Sequence, residues 1–186
     1  LRAAWWSLQQ RGVRTAQPLA DAVSAMPGLA PRDRCAALTI AGDALRFRGE
    51  QQGALPKLEE ALGLAQGVGD PDLELRALVA LGQCCSALDQ LAAARAHLER
   101  ALGVARSASA RRAEGIALFG LAGLALREDD FPSADSHYGA ALGVARQVGD
   151  ERLERARHVN VELELAGARC RDVKQPAIGS ERHSSH

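Results

Sequence analysis

Aromatic residues are scarce in this chain. Two Trp, one Tyr and three Phe make up 3% of its 186 residues, although 47% of the residues are apolar. Ala, Leu and Gly supply most of the apolar content, whereas a β-sandwich would need many aromatic and β-branched residues. This composition suits thin, closely packed helices. We therefore predict an all-α protein, long enough for one sizeable core or a row of small ones.

The chain also lacks a net charge. Lys and Arg number 23 and Asp and Glu number 23, so no whole-chain field would attract nucleic acid or an anionic membrane surface. No stretch approaches the run of about 18 apolar residues that a membrane span needs, and the first residues do not have the order of a signal peptide. We expect a cytoplasmic protein with no direct nucleic-acid partner and no membrane partner.

The cysteines indicate neither a metal site nor a cofactor. Cys35, Cys84, Cys85 and Cys170 form no CxxC motif and have no metal-ligand spacing with histidine. Cys85 falls on an apolar stripe, where a thiol acts as a small apolar side chain. A vicinal disulfide between Cys84 and Cys85 is the alternative. We expect reduced cysteines, no metal and no bound cofactor.

One segment occurs three times at a constant interval. It reads "ALGLAQGVGD" at 61–70, "ALGVARSASA" at 101–110 and "ALGVARQVGD" at 141–150. A fixed period of this length is the signature of a solenoid. The residues before each copy form an apolar stripe with helical spacing, and these stripes are Leu38, Ala41, Gly42 and Leu45; Leu78, Leu81, Gly82 and Cys85; and Leu118, Leu121, Ala122 and Ala125. The small residue in each stripe indicates that a second helix crosses closely there.

Turn signals divide each unit into two helices. Polar breaks lie at 48–51, 88–90 and 128–132, and Pro132 suits a first helical turn. Glycine then ends the second helix, and Asp70 or Asp150 is the predicted N-cap of the next helix, with Pro71 in its first position. Glycines recur inside the second helices at 63, 103 and 143. We interpret their recurrence as close helix contact, with shared descent of the copies as the alternative.

The order of small and large residues resembles the tetratricopeptide repeat. The usual Gly or Ala of that family's first helix falls on Gly42, Gly82 and Ala122. Its Ala, aromatic and Ala triplet in the second helix falls on Ala54, Leu58 and Ala61; Ala94, Leu98 and Ala101; and Ala134, Tyr138 and Ala141. The resemblance implies a right-handed α-solenoid of antiparallel helix pairs with repeats at 31–70, 71–110 and 111–150. The period of 40, against a common unit of 34, indicates a long-helix variety.

The two ends depart from the repeat. Residues 1–30 look like a degenerate unit, in which a shift of 37 places Gln17 and Asp21 where the first repeat has Ala54 and Leu58. This stretch resembles the segment before tetratricopeptide arrays in bacterial signal-transduction ATPases and LuxR-type regulators. Residues 151–169 are predicted to form a capping helix with a half-polar stripe, and residues 170–186 a disordered tail.

The start of the chain suggests that it was cut from a longer protein. The sequence begins at Leu1 without an initiator Met, and we interpret it as a segment of a longer protein or as a processed product. Trp5 lies on the predicted packing stripe of the first unit. Loss of a neighbouring unit would expose apolar surface around Trp5 and favour self-association.

The predicted function is a non-catalytic scaffold for a protein or peptide, as the regulatory segment of a larger bacterial regulator. First helices of such arrays line a concave surface, and the candidate partner-binding residues on it are Thr39, Asp43, Arg46, Arg76, Val79, Gln83, Ile116, Phe119, Arg127 and Asn160. Surface salt bridging is the alternative role of the three arginines. The family's carboxylate-clamping positions hold Ile40, Ala80 and Gly120, which argues against capture of a C-terminal carboxylate.

Two other functions remain open. One is a peptide or small-ligand receptor coupled to an effector. The other is an enzyme that uses His97, His137 and Cys84, although the two histidines are one period apart and a repeated basic surface position, which Lys57 shares, explains them. We do not expect catalysis.

Overall fold

The fold is an array of helix pairs. It is seen in a computed structural model that describes residues 13–150, and no strand occurs within that range. The helices are α1 (Val13–Ser24), α2 (Pro31–Phe47), α3 (Gln51–Val68), α4 (Pro71–Ala87), α5 (Leu91–Ser107), α6 (Arg111–Arg127) and α7 (Phe131–Val148). The prediction of an all-α protein is confirmed.

The helix pairs follow one another at the period seen in the sequence. The first helices α2, α4 and α6 begin at residues 31, 71 and 111, and the second helices α3, α5 and α7 begin at 51, 91 and 131. Every helix packs on the one before and the one after it. First helices of adjacent pairs also contact one another, whereas second helices do not. The first helices therefore lie on the inside of a curved α-solenoid.

Large side chains fill the notches left by small residues. A Cβ atom added at Gly42 would lie 2.6 Å from Leu58 Cγ, and one added at Gly82 would lie 2.6 Å from Leu98 Cγ. Leu98 also reaches the next pair, because a Cβ atom at Gly120 would lie 2.9 Å from its Cδ2. The small-residue positions are thus filled by a leucine of the partner helix, which also accounts for the close crossing.

The predicted packing positions are buried in every repeat. All members of the three first-helix stripes and the three second-helix triplets are buried. In the third repeat Tyr138 takes the place of Leu58 and Leu98 and packs with Ala122 and Ala125. The packing positions that the repeat pattern identified are thus buried over 31–150.

Two columns of left-handed residues end the helices. The turn inside each pair has a positive φ at Gly49, Asp89 and Asp129 (82°, 64° and 58°). The loop between pairs has one at Gly69, Ser109 and Gly149 (69°, 55° and 66°). Both columns follow the period of the repeat. Ser109 carries in the second repeat the conformation that glycine adopts without strain in the other two.

The predicted N-cap Asp70 is confirmed, and so is Pro132 in a first helical turn, whereas the helix that Asp150 is predicted to cap lies outside the described residues. The Asp70 carboxylate accepts hydrogen bonds from the backbone of Asp72 (3.0 Å) and Leu73 (3.4 Å), and a proline begins the helix. At α7 the Asp130 carboxylate accepts a hydrogen bond from the backbone N–H of Ser133 at 3.2 Å, and Pro132 lies in the first turn. These contacts satisfy backbone donors that a helix leaves unpaired.

The glycines inside the second helices do not mark close contacts. A Cβ atom added at Gly63, Gly103 or Gly143 would meet nothing within 4 Å. Our interpretation of these three as contact positions is therefore wrong. They lie on the outer, exposed side of α3, α5 and α7, where a helical glycine weakens the helix without any gain in packing.

The degenerate first unit is shifted by one residue from our prediction. Ala20 of α1 is fully buried and packs against Ile40 and Ala41, as Leu58 packs against the next pair. Gln17 and Asp21 instead face polar partners: Gln17 accepts a hydrogen bond from Arg48 at 2.7 Å, and Asp21 pairs with Lys57 at 2.8 Å. A shift of 38, not 37, aligns α1 with the other second helices.

Ion pairs recur at the loops between repeats. Arg32 pairs with Asp70 at 2.9 Å, and two repeats later Arg112 pairs with Asp150 at 2.8 Å. At the loop between the second and third repeats, the buried Glu114 accepts hydrogen bonds from Arg106 (3.1 Å) and Arg111 (3.0 Å). Burial raises the pKa of Glu114, but the hydrogen bonds from Arg106 and Arg111 outweigh it and lower the pKa below the usual range.

Several predictions concern residues outside 13–150. Leu1 and Trp5, Cys170 and Asn160, the capping helix at 151–169 and the tail at 170–186 lie outside the described residues. Among the helices that the structure describes, none combines the length and the apolar character that a membrane crossing requires.

Replacing buried and exposed glycines by alanine will have opposite effects on stability. We expect Gly82→Ala to lower the free energy of unfolding by about 1–3 kcal/mol, because the fully packed Leu98 cannot retreat. Gly103→Ala, on the outer side of α5, will raise it by about 0.5–1 kcal/mol. Urea denaturation measures both changes in the free energy of unfolding. Equal changes would contradict the tight contact between Gly82 and Leu98.

The left-handed backbone at Ser109 predicts a second pair of opposite effects on stability. Ser109→Gly removes the cost of a left-handed serine and will raise the free energy of unfolding by about 1 kcal/mol. Ser107→Gly, at the end of the same helix, is the matched control and will lower it by up to about 1 kcal/mol. Thermal denaturation of the two variants tests this, and stabilisation by both would rule out the conformational cause.

Candidate partner-binding surface

The candidate surface is the exposed side of the first helices, which we call the inner face. It consists of the solvent-facing residues of α2, α4 and α6 outside the packing stripe, at Ala36, Asp43, Arg46, Phe47, Arg76, Gln83, Ile116, Gly123 and Arg127. The repeat register places them in columns along neighbouring helices. This surface is continuous because the three helices contact in order.

Thr39 does not belong to this surface. Its residue is 5% exposed, and its hydroxyl donates a hydrogen bond to the Cys35 carbonyl at 2.9 Å, one turn earlier in α2. Our prediction of a partner-binding Thr39 is therefore corrected. A polar residue is accommodated at this buried position because its hydroxyl is satisfied within its own helix.

Asp43 and Arg46 form an ion pair on α2. The Arg46 Nη2 atom lies 3.1 Å from the Asp43 Oδ1 atom, and each side chain is 18% exposed. Burial raises the pKa of Asp43 above its usual range, although the charges of Arg46 and Arg76 act in the opposite direction. Arg76 of α4 is itself exposed. The structure thus brings the three predicted residues Asp43, Arg46 and Arg76 together between two repeats.

Val79, Gln83 and Ile116 are half-buried. Val79 packs against the apolar cluster that α4, α5 and α6 share, so part of its side chain stabilises the interface between repeats. Phe119 likewise packs against Tyr138, with ring centroids 5.3 Å apart in an edge-on arrangement. Val79 and Phe119 therefore border the inner face and do not stand freely on it.

Arg127 is engaged within the solenoid. Its guanidinium donates hydrogen bonds to the carbonyl of Ser86, to the Ser86 hydroxyl at 3.1 Å and to Asp89 at 2.8 Å. These groups belong to the end of α4 and the turn after it. The alternative role that we gave this arginine, surface salt bridging, is the one that the structure shows.

Phe47 is an inner-face residue that sequence reasoning missed. It is 58% exposed, and the Arg46 Cζ atom lies 4.3 Å from the centre of its ring. The signal was present in the register, because Phe47 precedes Arg127 by two periods and we considered only the arginine. The equivalent positions of the three repeats hold Phe47, Ala87 and Arg127.

The three positions that would clamp a C-terminal carboxylate are closed to a ligand in the structure, in agreement with their apolar residues in the sequence. Ile40 is 6% exposed and Ala80 is 3% exposed, and Gly120 lies against Leu98. These three positions pack against the second helix of the preceding unit. They offer no side chain to a ligand.

The residues of the enzyme hypothesis are not brought together. Cys84 is a fully buried free thiol that donates a hydrogen bond to the Gln51 carbonyl at 3.2 Å, and burial raises its pKa. His97 and His137 lie on α5 and α7, which do not contact each other. Burial and then Arg100 lower the pKa of His97.

The other two cysteines within the described residues are also buried. Cys85 is a buried free thiol beside Cys84, so the vicinal disulfide is wrong. Burial raises the pKa of both Cys85 and Cys35. Within 13–150 no group of three His, Cys, Asp or Glu side chains is arranged to hold a metal ion.

A family match accompanies this geometry. The sequence profile of the tetratricopeptide repeat matches residues 33–107. Residues 33–107 are tetratricopeptide repeats. The same helix-pair unit continues in the structure through residue 150, since α6 and α7 repeat the bounds and the packing of the two earlier pairs. No curated protein matches the sequence.

Solved structures share the tetratricopeptide fold. Aspartyl phosphate phosphatase F from Bacillus subtilis has a TM-score of 0.70 at 13% identity, over 80% of this chain and 40% of that chain. A signal transduction ATPase with numerous domains and a tetratricopeptide repeat sensor, from Pyrococcus horikoshii, has a TM-score of 0.70 at 18% identity, over 82% and 24%. The tetratricopeptide domain of Arabidopsis FLU has a TM-score of 0.58 at 20% identity, over 65% and 100%. This chain spans less than half of the first two proteins.

The raised pKa of Asp43 predicts a pH-dependent effect of Asp43→Asn. A folded-state pKa above the unfolded value of about 4 means that the wild type loses stability as the pH rises from about 4 through the folded pKa. The variant lacks this titration. We therefore expect its free energy of unfolding, relative to wild type, to increase with pH.

Urea denaturation at pH 4, 5.5 and 7 measures this difference. A difference that decreases as the pH rises would mean that the pairing with Arg46 outweighs burial.

Proposed function

We propose that this tetratricopeptide solenoid is a non-catalytic scaffold that binds a protein or peptide segment on its inner face. The observation that carries the proposal is the continuous row of exposed or half-buried side chains on α2, α4 and α6. Asp43 and Arg46, Arg76 and Gln83, and Ile116 differ in chemistry from one repeat to the next, although the packing stripes beneath them are nearly alike. A surface whose side chains differ between repeats, on a core that is nearly the same in each repeat, is suited to selecting one partner.

The array is proposed to be the regulatory segment of a larger bacterial signalling or transcription regulator in the cytoplasm. Support comes from the signal transduction ATPase of Pyrococcus horikoshii, whose tetratricopeptide repeats are described as its sensor and of which this chain covers 24%. Binding energy on an inner face can then be transmitted to an attached domain. In that arrangement the peptide or small-ligand receptor is the alternative function of the same surface.

A photo-crosslinking residue on the inner face tests the scaffold proposal. Benzoylphenylalanine replaces Gln83 on α4 in one variant and the exposed Ala93 on the outer side of α5 in the control. We expect discrete protein adducts from position 83 in cells that make the protein, none from position 93, and loss of the adducts when Arg76→Glu is added.

The outcome against the scaffold is equally concrete. Adducts from position 93 alone would place the partner elsewhere, whereas adducts at 83 that survive Arg76→Glu would remove only Arg76 from the contact surface. Thermal stabilisation by small metabolites, without protein adducts, would favour the receptor, since a ligand that binds only the folded state raises its stability.

A further inference from the structure

The end of α2 and the adjoining side of α4 carry a compact mixed cluster, consisting of Asp43, Arg46, Phe47 and Arg76, which we call the α2–α4 cluster. It contains two guanidinium groups and one carboxylate. No other described part of the inner face combines charged groups with an exposed aromatic ring. The proposal below names the partner chemistry for this cluster and rests on the proposed scaffold function.

Arg46 is held in place before any partner arrives. Its Nη2 and Nε atoms lie 3.1 Å and 3.3 Å from the Asp43 Oδ1 atom, and its guanidinium lies over the Phe47 ring at 4.3 Å. The arginine side chain is only 18% exposed. Because its rotamer is already fixed on two sides, binding to it costs less conformational entropy than binding to a mobile surface arginine.

The charges of the cluster favour an anionic partner. Arg76 lies close enough for its charge to act on Asp43, so both guanidinium groups act on one carboxylate that is largely withdrawn from water. Cys84, which lines the cluster from α4, is a neutral, buried thiol. A carboxylate approaching from the solvent would meet two guanidinium groups, each of which carries several N–H donors.

The aromatic ring adds an apolar contact beside the charges. Phe47 is 58% exposed, although the arginine covers one side of it. The same column in the later repeats holds Ala87 and Arg127, and the arginine is bound to Asp89. The apolar contact point is thus confined to the first repeat, next to Arg46.

The carboxylate belongs to a side chain within a segment, not to a chain end. The inner face continues past Arg76 onto α6, where a Cβ atom at Gly123 would meet nothing within 4 Å. A bound segment can therefore run on in that direction. The positions that clamp a terminal carboxylate in this family are buried at Ile40 and Ala80.

We infer that Arg46 and Arg76 bind an Asp or Glu side chain of an internal partner segment, and that Phe47 receives the apolar side chain next to it. The partner segment contains an apolar residue beside an acidic residue. The rest of the segment lies along α4 and α6. No covalent step is involved.

Selection from a library of random short peptides tests this chemistry. The peptides are displayed at the N-terminus of a phage coat protein, so they have no free C-terminal carboxylate. We expect the purified chain to enrich sequences with Asp or Glu beside an apolar residue. Selection on Arg76→Gln will lose the acidic preference, and selection on Phe47→Ala will lose the apolar one.

Synthetic versions of an enriched peptide give the magnitudes. Arg76→Gln and Arg46→Gln will each raise the Kd by about tenfold or more, as expected for a lost charge-assisted contact. Arg76→Lys, which keeps the charge but not the planar fork, will have an intermediate effect. Arg146→Gln, on α7, is the control and will leave the Kd within about twofold. Circular dichroism establishes that each variant remains folded.

Three results would overturn the inference. One is enrichment of peptides without an acidic residue, another is an acidic preference that survives Arg76→Gln, and the third is the absence of any enriched peptide. Enrichment only from a C-terminally displayed library would instead assign the cluster to a terminal carboxylate and likewise refute it. Adducts from position 83 would stand in all these cases, so the scaffold function is tested separately.

Discussion

The contact between a leucine and a glycine notch is the constraint on which the rest of the solenoid depends. Leu98 is enclosed by Gly82 of its own pair and Gly120 of the next. A single side chain therefore sets both the crossing inside a repeat and the spacing between repeats. None of these helix pairs could hide its apolar stripe alone, and stacking removes each stripe from water. The inner face exists only because this stacking holds the first helices side by side.

Much of this architecture could be predicted from the sequence, because the same pattern of apolar and small residues occurs in three copies. The stripes and triplets, Asp70 as N-cap and Pro132 in the first turn all follow from helical spacing and capping chemistry. Gly63, Gly103 and Gly143 misled us, because recurrence alone cannot distinguish a position under steric constraint from one inherited by duplication. Ala20 shows a similar limit, since a degenerate unit offers too few matches to fix its register to one residue.

The surface was less predictable than the core. Helical spacing identified Asp43, Arg46 and Arg76, but it could not show that Thr39 is buried or that Arg127 turns back to Ser86 and Asp89. Such outcomes depend on inter-helix distance and rotamer, which periodicity does not encode. Phe47 was missed for another reason, since the register places it two periods before Arg127 and only the arginine was considered.

The way in which the helices touch has a mechanical consequence. α2, α4 and α6 contact in series along the inside, while α3, α5 and α7 meet no neighbour of their own kind. A change in curvature that spreads the outer helices breaks no contact among them, whereas sliding the third repeat past the second would pull Leu98 away from Gly120. Bending is therefore the soft motion of this array and shear the stiff one. A segment lying across several inner helices would act on the soft motion, and its effect would be largest at the two ends of the chain.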